Sequence, residues 1–161
     1  MYTREALLDI HQRSHRSLSL LMDHCRVFDA EHFNREAEGF GYPTMRLQIH
    51  HVISAQQYWL SVVQDRMNAD ENEADFQSID ELEAFRAEVF ETTESYLRSV
   101  SDEELNTRRE MLVWGGKRPS LMPALVILRT QTHIYQHMGQ ITAMCRLFGK
   151  PAPAGLDFSL I

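Results

Sequence analysis

Apolar residues recur at helical spacing in four separate stretches of this chain and almost nowhere at the two-residue alternation of a strand. In the first, Arg4 to Asp29, the stripe is Leu7, Ile10, Leu18, Leu21, Cys25 and Phe28, with His11 and Ser14 breaking its apolarity. The second opens at Pro43-Thr44, where Thr44 is placed to cap it, and its expected core face runs Leu47, His51, Ser54, Ala55, Tyr58 and Val62. The third follows Ser78-Ile79-Asp80-Glu81. That is a capping-box pattern, in which serine and glutamate satisfy each other's free amide groups. The last has Ser120 as its expected cap and Pro123 in its first turn, and runs through Met122, Val126, His133, His137, Ile141, Met144 and Phe148 to a stop at Gly149 and Pro151. Helices with one apolar stripe each bury those stripes against one another, which predicts an all-α four-helix bundle.

The connections are uneven. Residues 30–42 read as a loop punctuated by Gly39 and Gly41, and residues 66–77 as an acidic, mobile segment. Ser101-Asp102-Glu103-Glu104 opens one short turn. Between Arg108 and Pro119, Leu112-Val113-Trp114 precedes Gly115-Gly116, which predicts a short extended arm or hairpin before the last helix. Connections of this length permit a crossover, so simple up-down-up-down order does not follow. The 161 residues fit a single domain, 1–161, with the tail from Ala152 packed along the surface.

Charge narrows the partners. A net charge of -7 without a basic tract argues against nucleic acid, whose phosphates demand neutralisation, and against an anionic membrane surface. No apolar run is long enough to span a bilayer. The N-terminus lacks the pattern of a signal peptide, so Cys25 and Cys145 read as buried reduced thiols and the expected compartment is the cytoplasm.

Three of the eight histidines fall on the apolar faces of the second and last helices. His133 and His137 are one helical turn apart, and His51 comes from the second helix. Neutral imidazoles at that spacing can chelate a divalent transition metal, for which zinc and nickel lead, and three protein ligands leave a coordination position open. The metalloprotease helix motif is excluded, because Ile134 stands where its glutamate base belongs. Spacing leaves two readings open: a metal triad, or three core histidines satisfied by hydrogen bonds. Arg129, one turn before His133, is placed to orient an anionic group, with Ser54, Gln140 and His11 as further candidate pocket residues. His50 points away from His51 and is expected at a flank or interface.

The run from His133 through Gln136-His137-Met138-Gly139-Gln140 to Cys145-Arg146-Leu147-Phe148-Gly149, together with His51 through Trp59, resembles the DinB-like family. The likeness extends over the order and length of all four helices. It implies a bundle with crossed, up-down-down-up connectivity, often a homodimer, and a divalent metal on His51, His133 and His137. Relatives of this fold include thiol S-transferases using low-molecular-weight thiols, a thiol-dependent isomerase and proteins assigned as metal hydrolases. The resemblance therefore implies a small-molecule substrate and thiol-transfer or hydrolase chemistry; a non-catalytic metal- or ligand-binding bundle is the alternative. Two positions depart from the family pattern. Gln56 stands where many relatives carry glutamate, removing an expected carboxylate near the metal, and Met138 stands where a basic residue is frequent.

Overall fold

The computed structural model describes residues 1–67 and 72–160. In chain order its helices are α1 (Arg4–Cys25), α2 (Ala30–Phe33), α3 (Met45–Val63), α4 (Ile79–Ser99), α5 (Asp102–Asn106) and α6 (Pro123–Leu147). A two-stranded antiparallel hairpin, β1 (Arg109–Glu110) with β2 (Ser120–Leu121), forms the arm before α6. Part of the segment expected to be mobile, residues 68–71, lies outside the described residues. In the rest of it Glu73–Asp75 form one turn of 3-10 helix.

Local chemistry sets most helix starts. The side chains of Thr3, Thr44, Ser78 and Ser101 accept backbone N–H groups of Ala6, Leu47, Glu81 and Glu104 at 3.2, 3.0, 3.3 and 3.1 Å. Ser78 and Glu81 complete the capping box. The start of α6 corrects the expectation for Ser120, which belongs to β2 and caps nothing. Met122 is the N-cap without a side-chain bond, and Pro123 at the first helical position brings no N–H that needs a partner. The loop expected over 30–42 contains α2, nucleated by the Asp29 carboxylate accepting the His32 N–H at 2.8 Å. At the far end, Gly149 adopts φ +77° and lets the Lys150 N–H reach the Cys145 carbonyl at 3.0 Å, closing α6.

Each of α1 and α3 packs on both α4 and α6. The facing pairs give the directions. Arg26 meets Asp80 and Gln12 meets Glu94, so α1 and α4 are antiparallel. Gln48 meets Gln140 and Trp59 meets Arg129, so α3 and α6 are antiparallel as well. His50 lies by Phe85 and Gln56 by Thr93, so α3 and α4 run parallel.

The core is two apolar clusters separated by a polar layer. One holds Leu18, Ile53, Val89 and Ile134 among others, the second Leu7, Leu60, Leu97 and Ile127. Between them every long helix contributes buried polar side chains: His11, Ser14 and His15 from α1, Gln56 from α3, Thr93 from α4, and Thr130 and Gln131 from α6. Gln56 ties the layer together. Its Oε1 accepts from His15 Nε2 at 2.8 Å, and its Nε2 donates to Thr93 Oγ1 at 3.2 Å and reaches His11 Nδ1 at 3.4 Å. Hydrogen bonding of this kind is what makes burial of so many polar groups tolerable.

On α3 the expected core face is displaced. Leu47, His51, Ser54, Ala55 and Tyr58 are only half-buried, whereas Ile49, Val52, Ile53, Gln56 and Leu60 are buried. The helix has one side in the core and another in the wall of a cleft, so apolar residues occupy both. His50 is likewise corrected: it is buried, with its ring 5.2 Å from that of Phe76 and 5.9 Å from that of Phe85. Cys25 and Cys145 are buried free thiols. The tail packs on α1, where Ser17 Oγ donates to the Asp157 carbonyl at 3.0 Å and Arg13 to that of Ser159 at 2.9 Å. No described helix is long and apolar enough to cross a membrane.

Candidate metal centre

Antiparallel packing of α3 on α6 brings His51 to the pair one turn apart on α6. The ligating atoms of His51, His133 and His137 lie within 4.8 Å of one another, and among the described residues no other group of three or more His, Cys, Asp or Glu side chains is so arranged. Ring centroids are 5.1 Å apart for His51 and His133, 4.8 Å for His51 and His137, and 4.4 Å for the α6 pair.

A glutamine fixes one of these rings. Gln48, one turn before His51, donates from its Nε2 to the Tyr42 carbonyl at 2.6 Å and to Gln140 Oε1 at 3.0 Å. Its Oε1 therefore faces His137 Nδ1, 2.5 Å away, and can only accept there. The proton of His137 is thus on Nδ1, and the Nε2 lone pair points at His133 Nε2, 3.0 Å distant. With about 2.0–2.1 Å from each imidazole nitrogen to zinc, ligand nitrogens in a tetrahedral site stand roughly 3.3 Å apart. The donor set and its spacing fit a divalent transition metal.

Electrostatics agree. Burial, helped by His137, His133 and His50, lowers His51 to about 4. Burial, with His137 and Arg129, lowers His133 to about 4, and burial lowers His137 as well. All three are neutral at physiological pH, which is the form that binds a metal. Tyr42 stacks on His51, centroids 3.9 Å apart and planes inclined 20°, and so fixes the ring that comes from the other helix.

The triad is not sealed. His51 and His133 form part of the wall of an open cleft of about 600 Å³, completed by Ser54, Tyr58, Trp59, Trp114 and Arg129. The hairpin between β1 and β2 supplies Trp114, whose backbone N–H donates to the Tyr58 hydroxyl at 2.7 Å.

The sequence model of the DinB family matches residues 1–159. The chain belongs to the DinB family. Among solved structures, a DinB family member protein from Shewanella denitrificans has a similar fold, with a TM-score of 0.67 at 14% identity over 98% of this chain and 94% of that one. No curated protein matches the chain.

In this DinB-family chain the remaining candidate residues separate into three places. Ser54 and Arg129 line the cleft. Ser54 Oγ donates to the His51 carbonyl at 3.2 Å, and the Arg129 guanidinium carbon lies 4.8 Å from the centre of the Trp59 ring. Gln140 sits behind the triad, accepting from Gln48. His11 is elsewhere, and its assignment to this pocket is corrected: it is buried in the polar layer, its ring stacked 4.8 Å from that of Phe90 and its Nε2 3.1 Å from the Phe90 carbonyl. Gln56 is in that same layer, so a carboxylate at position 56 would face His11 and His15. Gln48, which orients His137, escaped the sequence reading. Its one available signal was an uncharged polar residue one turn before His51 on the same helix.

Proposed function

We propose that this DinB-family chain is a divalent-metal-dependent enzyme that joins a low-molecular-weight thiol to a small electrophile. The observation that carries the reading is the opening of the three-histidine group onto the cleft, where a substrate can reach it. His51, His133 and His137 would hold zinc or nickel. Three neutral ligands would leave such an ion its full charge, and with it the capacity to favour the deprotonated form of a thiol near neutral pH. Gln48 keeps the His137 lone pair aimed at the site. Tyr58, Trp59 and Trp114 give the electrophile an aromatic surface to pack on, and Arg129 binds an anionic group at one end. In the reaction R–SH and R′–X give R–S–R′ and HX. The new S–C bond forms as the C–X bond breaks, X leaves with the electron pair, and the thiol proton passes to solvent.

Thiol transfer is better supported than hydrolysis. Among the described residues, no Asp or Glu lines the cleft. A hydrolase of this size of site generally draws on a side-chain base to activate water, whereas a thiol brings its own nucleophile. The same lack of a carboxylate also fits a non-catalytic metal-binding bundle. Incubating zinc- or nickel-loaded protein with a chloronitrobenzene and a panel of cellular thiols separates the two. Metal-dependent adduct formation that disappears in His51→Ala supports the enzyme, and inactivity across the panel supports the binder.

A further inference from the structure

The chain carries a net charge of -7, yet among the described residues the one formally charged side chain lining the cleft is cationic. Arg129 is exposed, stacks on Trp59, and makes no ion pair among the described residues. It precedes His133 by one turn of α6, so both project into the same space. An arginine stacked on an aromatic ring keeps its N–H groups free for a planar anion.

Trp114 faces the same space with 71% of its surface exposed. Its position is not that of a loose loop. The Val113 N–H donates to the Lys117 carbonyl at 2.9 Å, Gly115 and Gly116 turn the chain at φ +75° and +74°, and the Trp114 N–H is held by Tyr58. A large ring is thus held in water by an ordered hairpin, on the rim of a cleft that Tyr58 and Trp59 already line with aromatic surface.

We propose that the cleft binds an organic anion with a flat apolar body, its carboxylate paired with Arg129 and its rings packed between Trp114 and the Tyr58–Trp59 wall. An aromatic cleft can also take an organic cation, but Arg129 and a metal ion beside it repel one. That this anion is the electrophilic substrate rests on the thiol-transfer reading; its binding does not.

Calorimetric titration of the full chain, zinc-free and zinc-loaded, with 2-naphthoate, 2-naphthamide and 2-naphthylmethylamine tests this. The expected result is naphthoate tighter than naphthamide by about tenfold or more, and the amine weakest. Arg129→Gln brings the acid and amide level, while Trp114→Ala weakens both and keeps their ratio. Equal binding of acid and amide, or no binding of any probe, overturns the proposal. So does a preference that survives Arg129→Gln but vanishes in His51→Ala, because the anion then sits on the metal; that outcome leaves the enzyme reading standing. An Arg129-dependent preference in a protein that transfers no thiol sinks the enzyme reading and leaves this one.

Discussion

Gln48 Oε1 stands 2.5 Å from Nδ1 of His137, with the amide nitrogen of the same side chain already donated to Tyr42 and Gln140. One glutamine thereby fixes which nitrogen of His137 is free to bind a metal. It also ties together the α2–α3 loop, α3 and α6 around that nitrogen. Partners behind a ligating histidine set its tautomer and ring orientation.

Replacing Gln48 with leucine removes that acceptor without touching a ligand. Metal affinity is expected to fall by roughly 10- to 100-fold, with stoichiometry at saturation unchanged. Competition against a chromophoric chelator measures it. Unaltered affinity would show that Gln48 does not orient the site.

The polar layer makes stability depend on pH. Burial lowers His11 to about 4, and lowers His15 well below its usual value of 6.5. In the unfolded chain both take up a proton near pH 6.5, but folded His11 does so only near 4. Between those values the unfolded state binds more protons, so stability is fully present above about 6.5 and is lost as pH falls toward 4. For His11 alone this amounts to at most roughly 3 kcal/mol. Urea unfolding of metal-free protein between pH 7.5 and 4.5 should therefore show a steeper loss for wild type than for His11→Gln. Equal slopes would contradict the assignment of His11 as buried and neutral.

Met111 anchors the hairpin that presents Trp114. It is fully buried, and packs with Leu105, Ala124 and Ile127 while its N–H donates to the Pro119 carbonyl at 3.1 Å. Met111→Ala should destabilise the chain by roughly 2–5 kcal/mol in urea unfolding and leave metal content intact, because the triad is on other elements. Metal loss in a still-folded variant would mean that the hairpin also holds the site.

What the sequence discloses follows the range of the interaction. The capping box of Ser78 and Glu81 and the one-turn spacing of His133 and His137 are local, and each is legible in a few residues. The face of α3 is not. Ile49, Val52 and Ile53 face the core while Ala55, Tyr58 and Trp59 face the cleft, so apolar residues surround the helix and periodicity cannot say which side is buried. Ser120 has the right residue type for a cap, but pairing with Glu110 across the hairpin claims it first. The role of Gln48 depends on Tyr42, His137 and Gln140, and that of His11 on Phe90 and Gln56. Those partners come together only through tertiary packing.

Elemental analysis of tag-free protein decides whether His51, His133 and His137 form a metal site. After reconstitution with zinc or nickel, wild type should hold about one transition metal per chain, and folded His133→Ala and His137→Ala should each hold almost none. Wild-type protein that takes up neither metal, or variants that retain it, would rule out a metal on these residues and leave three histidines that only complete the packing of α3 on α6.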